Sequence, residues 1–400
     1  MAAAQSGMLP LDLADSAKDA AAQAGDLGTK SGLLPRQRVM AMIKRGLIVA
    51  TESFEENQVQ PASLDLRIGQ RAYRIRASFL PGSERTVQDQ LKSMRSEPIE
   101  LNGAGAVLEK NCVYLVELQE RLNLQPSIFG LANPKSSTGR LDIFTRVIAD
   151  KSDRFDFVPG GYKGPLFAEI SPRSFSVKVR KGSKLNQIRF RRRNPTQSEH
   201  DSFQLNDKQL QVRHNLSPLV DDNLVLRDGL VVSVALTITG ATHEIIGFKA
   251  LKHTDPIDVD KVAAYDWVDY WEPVFSSQSN SLILDPDSFY ILASKEQLHV
   301  PPDLAAEMVP IDPRMGEFRV HYAGFFDPGF GHVSAGAKGA RAVLEVRSRE
   351  VAFLIEHGQM VGRLVYEEMT DPAELLYGQQ GSNYQAQGLK LSKHFKAYAR

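Results

Sequence analysis

The chain has 400 residues, 42 % of them apolar, and 48 Lys and Arg balance 48 Asp and Glu. The length favours two domains over a single core. Zero net charge argues against broad binding to nucleic acid or an anionic membrane, which needs a basic excess or stripe. The single cysteine, Cys112, excludes a disulfide framework and a cysteine-based zinc site, and the nine histidines form no HxxxH or HxE pattern.

Residues 1–30 are rich in Ala, Asp and Gly and are expected to be disordered or loosely helical. They lack a basic n-region followed by an apolar core, and no apolar run in the chain reaches about 18 residues, so a cytoplasmic chain is expected. Residues 32–48, GLLPRQRVMAMIKRGLI, predict a helix, because Val39, Met42, Ile43 and Leu47 recur at helical spacing. The chain then turns to short β-branched and aromatic runs divided by Gly, Pro, Asn and Asp: 63–69, 71–77, 112–119, 165–171, 175–182 and 186–192. Many short strands with few helices predict a sandwich or barrel. The basic run RFRRRNP (189–195) reads either as a grip for a phosphate chain or as a solvated strand end.

The second half repeats the plan, with strand-like runs at 223–237, 289–294, 341–347, 351–355 and 361–366. CVYLVELQERLNLQPSIFGLANPK (112–135) aligns with SFYILASKEQLHVPPDLAAEMVPIDPR (288–314), and KGSKLNQIRF (181–190) with HGQMVGRLVY (357–366). Two duplicated β domains are therefore expected at about 31–195 and 203–400, joined by RRRNPTQSEHD. The acidic, aromatic stretch 253–275 reads as an insertion packed on the sheet, with Trp267 and Trp271 at helical i, i+4 spacing.

The stretch NPKSSTGRLDIF (133–144) puts Lys135, Ser136, Ser137 and Arg140 within a few residues. Short hydroxyls, backbone N–H groups and two cations make an anion grip; the alternative is a Ser-rich turn with solvated charges. Further on, PLFAEIS carries Glu169 on the opposite strand face from Leu166 and Ile170, and RAVLEVR carries Glu345. A carboxyl buried in a pocket would titrate near neutrality and suit proton transfer. YAGFFDPGFG (322–331) precedes Glu345 as a turn between two strand runs, able to offer backbone groups to a planar ring.

Taken in order, these motifs resemble the dCTP deaminases, trimeric relatives of dUTPase. PKSSTGR (134–140) is similar to that family's R-S-S-x-x-x-R motif, with Lys135 for its first arginine; HYAGFFDPGF (321–330) resembles its hairpin. QPASLDLRIG (60–69) resembles its opening strand and SNYQAQG (382–388) its closing tail. The resemblance implies a mainly β fold of two tandem dUTPase-like β-barrel or β-clip domains. It also implies hydrolytic deamination of dCTP to dUTP and ammonia, without zinc. A glutamate, Glu169 or Glu345, would act as general base and then acid. Ser136 and Arg140 would position the water and stabilise charge, and the hairpin backbone at Ala149 or Ala323, with Asp327, would orient the base. Lys135, Ser137, Tyr384 and Gln387 would hold the triphosphate, as its Mg²⁺ complex. Implied partners are dCTP, dUTP, dTTP as an inhibitor, and further copies of the chain with trimeric pseudo-symmetry.

The departures from the family pattern are complementary. The first hairpin, ADKSDRFDFVPGGYKG (149–164), has Pro159 where the family has aspartate, and the second serine motif is reduced to PIDPRMG (310–316), with Arg314 and no serine. One site built from the first domain's serines and the second domain's hairpin is one expectation. Equivalent domains meeting, with Glu169 opposite Ser136, is the other. Two rivals remain: a diphosphatase or dUMP-forming enzyme using Asp150 or Asp153, and a non-catalytic nucleotide-binding module.

Overall fold

A computed structural model describes residues 30–194, 203–241, 243–310, 318–321 (as backbone), 324–348, 350–379, 384 and 387–398. The 1–30 tail up to residue 29, most of the linker, Arg314 and Ala323 lie outside these described residues. Four α-helices occur among them: α1 (Arg36–Lys44), α2 (Val87–Met94), α3 (Ser136–Gly139) and α4 (Asp207–Leu216). None is long and apolar enough to cross a membrane.

Helix α1 is shorter than the 32–48 pattern. Gly32–Leu33 pair as a strand with Arg191 and Arg192, and Pro35 stays extended at the N-cap. Val39 and Met42 are buried, as the helical spacing requires. Helices α2 and α4 both start on capping boxes, Thr86 with Asp89 and Asn206 with Gln209.

The first half is built on a ten-stranded antiparallel sheet. Its main path runs through Ile143–Ala149, Lys163–Pro172, Val113–Asn123, Leu64–Ile75, Lys184–Arg192, Ile128–Pro134 and Phe157–Val158. The second half divides equivalent strands between two sheets: Leu230–Ser233, Met360–Glu368, Leu304–Pro310 and Phe325–Phe326 in one, and Trp271–Phe275, Ile245–Ala250, Phe289–Leu298, Ala340–Ser348 and Phe318–His321 in the other. Register exposes the duplication. Glu169 pairs with Leu115 and Arg146; Glu345 pairs with Ile291 and His321. Arg192 opposes Ile128 as Glu368 opposes Leu304. Glu169 and Glu345 therefore hold the same place in the two repeats.

The halves share one core. Trp271 is buried at 1 % exposure, with its ring edge-on to Phe175 of the first half (5.2 Å) and to Phe395 of the C-terminal segment (6.0 Å). Each such pair adds about 1 kcal/mol beyond its buried area. The 253–275 stretch thus packs as expected, but not as a helix: Trp267 opens a 3₁₀ turn and Trp271 begins a strand. Polar contacts also cross the junction. Arg189, 1 % exposed, donates to Asp327 (2.8 Å) and to the Ala306 carbonyl (2.9 Å). Arg191 pairs with Glu367 and Arg180 with Asp258 (2.6 Å). Both expectations for RFRRRNP are corrected here. Arg189 and Arg191 are neither a phosphate grip nor a solvated strand end, because their charges are spent on carboxylates of the other half.

Candidate active site

The serine turn grows out of the strand Ile128–Pro134. Lys135 is extended (φ −71°, ψ 149°), and the next four residues make the single turn α3. The N–H groups of Thr138 and Gly139 both donate to the Lys135 carbonyl (2.8 and 3.0 Å), so those of Ser136 and Ser137 precede the first bonds of the turn. Asp142, at φ 55°, ends it in the left-handed region. Ser137 and Arg140 are buried; Lys135 pairs with the buried Asp65, whose Oδ1 has no hydrogen-bond partner.

This turn borders a cavity of about 360 Å³, within the usual size of small-molecule sites. Its walls come from three parts of the chain: Lys135, Ser136, Ser137 and Arg140 from the first half; Phe325, Asp327 and Glu345 from the second; Tyr384, Gln387 and Lys393 from the C-terminal segment. Arg140 is held mainly by that segment. Its Nη1 donates to the Lys390 carbonyl (3.0 Å), its Nη2 to Gln387 Oε1 (3.0 Å), and its guanidinium lies 3.9 Å from the Tyr384 ring centroid. Its buried Nε has no partner.

Glu345 sits on the Ala340–Ser348 strand and is 6 % exposed. Burial pushes its carboxyl up to about 8, against the pull of the Arg140 guanidinium and its own backbone N–H. A carboxyl titrating there exchanges protons readily at neutral pH. Asp327 is also raised by burial, opposed by Arg189, and the Arg189 guanidinium lies 4.1 Å from the Phe325 ring centroid. The first half thus holds the second half's hairpin from beneath.

Glu169 and Ala149 do not line this cavity. Glu169 is bound by Arg146 (2.7 Å), whose guanidinium stacks 3.4 Å from the Phe155 ring centroid. Leu115, Ile148 and Phe167, on the same part of the sheet, pack with Val87 and Leu91 of α2. Residue Asp150 caps α2 through the Val87 N–H (2.7 Å), and Asp153 is an exposed partner of Arg154; neither lines the cavity. Sequence reasoning missed Asp65, Arg189 and Lys393. Asp65 lies in QPASLDLRIG, quoted for its resemblance and not as part of a site. Nothing local in the sequence distinguishes Arg189 from its basic neighbours. Among the described residues no three His, Cys, Asp or Glu side chains converge as metal ligands.

Comparison with known proteins agrees with this architecture. Residues 30–194 match the family described as 2'-deoxycytidine 5'-triphosphate deaminase, N-terminal domain, and residues 206–395 match its C-terminal domain. The crystal structure of 2'-deoxycytidine 5'-triphosphate deaminase from Agrobacterium tumefaciens is similar at 50 % identity and a TM-score of 0.80, over 86 % of this chain and 99 % of that one. A dCTP deaminase of Halorubrum lacusprofundi is 28 % identical over 36 % of this chain and 68 % of its own. A dUMP-forming dCTP deaminase of Methanobrevibacter smithii is 31 % identical over 33 % of this chain and 63 % of its own.

Proposed function

Because this chain belongs to the dCTP deaminase family, hydrolases acting on a C–N bond, we propose that it converts dCTP and water into dUTP and ammonia at the cavity shared by its two halves. The observation that carries the reading is Glu345, a buried carboxyl raised to about 8, in one cavity with Ser136 and Arg140. Glu345 takes a proton from water as the oxygen attacks C4 of the base, and delivers it to N3. It then takes the second proton from the new hydroxyl and delivers it to the amino group, which leaves as ammonia. The product keeps N3–H and a C4 carbonyl, so protons balance. Ser136 and Arg140 orient the water and stabilise charge at C4. The hairpin of Phe325 and Asp327 faces the base. Lys135, Ser137 and the C-terminal segment with Tyr384 and Gln387 meet the triphosphate, which enters with Mg²⁺ as part of the substrate. Zinc deaminases activate water on a His/Cys-held metal; the route proposed here assigns both proton transfers to Glu345, and the single cysteine of the chain is in keeping with it.

The test is to incubate the protein with dCTP and follow ammonia together with nucleotide products. Ammonia with dUTP is expected. Ser136→Ala is expected to lower turnover by about a hundredfold or more, while binding of dCTP persists. Binding without ammonia release in the wild type would favour the non-catalytic module. One observation favours a second reading, dUMP formation: the unpartnered Oδ1 of Asp65 in the cavity wall is a carboxylate oxygen able to orient water towards phosphorus. Pyrophosphate and dUMP in the same assay would establish it.

A further inference from the structure

The C-terminal segment is fastened to the serine turn by a buried chain of polar groups. Ser392 Oγ donates to the Ser137 carbonyl (2.9 Å) and lies 2.9 Å from His394 Nδ1, while His394 Nε2 lies 2.9 Å from the Val259 carbonyl. Ser392 and His394 are each 2 % exposed and neither lines the cavity, whereas Ser137 and Val259 do.

The turn needs such a donor. In a regular helix the N–H four residues on would serve the Ser137 carbonyl. Here Leu141 donates to Thr138 instead (3.1 Å), because the last turn tightens, and Ser392 serves the Ser137 carbonyl. At the other end the Val259 carbonyl can only accept, so His394 Nε2 carries a proton. Burial holds the ring neutral, with its pKa lowered to about 4, which leaves Nδ1 an acceptor. The one Ser392 hydroxyl proton is therefore shared between Nδ1 and the Ser137 carbonyl. The same anchor fixes Lys393, which lies between Ser392 and His394, lines the cavity and donates its N–H to the Tyr384 hydroxyl (3.0 Å).

We propose that Ser392, held beside His394, is a positioning residue: through the Ser137 carbonyl it sets how the serine turn meets the substrate triphosphate. The inference rests on the reading that Ser137 binds phosphate. Steady-state kinetics with dCTP on Ser392→Ala, Ser392→Cys and Ser137→Ala test it, with unfolding midpoints measured alongside. The expected result is a rise in KM of about tenfold for Ser392→Ala, with kcat within about twofold because the reacting atoms are untouched. Ser392→Cys keeps the volume with a weaker donor and is expected to give a smaller rise. A wild-type KM in a folded Ser392 variant, while Ser137→Ala raises KM, overturns the positioning role alone. A wild-type KM in Ser137→Ala overturns the phosphate reading and this inference with it. A lowered unfolding midpoint with unchanged KM marks Ser392 as structural and also overturns it.

Discussion

Glu345→Gln is expected to lower kcat for dCTP by about a thousandfold, and Glu169→Gln to leave it nearly unchanged. The two glutamates hold equivalent register positions, so topology does not choose between them; their neighbours do. The buried Glu169 faces a partly exposed Arg146, while Glu345 lines the cavity with Ser136 and Arg140. Stability should separate them in the opposite sense. Glu169→Gln exchanges a charged hydrogen bond for a neutral one and leaves Arg146 without its counter-charge, a loss of about 2 kcal/mol. Glu345 titrates near 4.5 when unfolded and about 8 when folded. Between these values the unfolded chain binds fewer protons, so its contribution is fully present below about 4.5 and is lost as pH rises through about 8. Glu345→Gln removes that loss. At pH 8.5 it should be more stable than the wild type by roughly a few kcal/mol, a gain set by the shift, which already includes the Arg140 attraction; near pH 4.5 the gain should vanish. Thermal unfolding across this range checks both signs. Equal, partial activity losses in the two variants would contradict the assignment.

Arg189→Met should cost about 3–5 kcal/mol of stability. Removing one member of a buried ion pair leaves the other charge uncompensated, and Asp327, within the hairpin, is buried. Urea unfolding of the single variant and of Arg189→Met with Asp327→Asn measures the coupling. The double variant should recover part of the loss, because it removes the stranded charge. A single variant within about 0.5 kcal/mol of the wild type would show that the pair does not hold the halves together.

Much of this molecule was legible in the sequence because its signals are local. Period-two runs mark the strands, the repeat marks the duplication, and the serine motif, FFDPGF and the two glutamates are short strings of characteristic residues. What was not legible depends on contacts distant in sequence. RFRRR reads the same whether its arginines face water or Asp327 and Glu367. Glu169 and Glu345 sit in similar strands, and only the residues packed against them, Arg146 and Phe155 for one and a cavity for the other, tell them apart. Trp267 and Trp271 fit a helical spacing, but Trp267 packs on Phe248 while packing on Phe175 and Phe289 draws Trp271 into a strand. Ser392 and His394 carry no motif, since their meaning lies in a carbonyl left over by a tightened turn far away in the chain.

The central claim is that one chain supplies both halves of its own site. Mixing or co-expressing Ser136→Ala with Glu345→Gln tests it most directly. Each chain then lacks one group in its own cavity, so the expected result is no recovery of dCTP deamination in any proportion of the two. Recovery approaching about a quarter of wild-type activity, the share of sites that would combine two intact halves if neighbouring chains supplied them, would contradict the account.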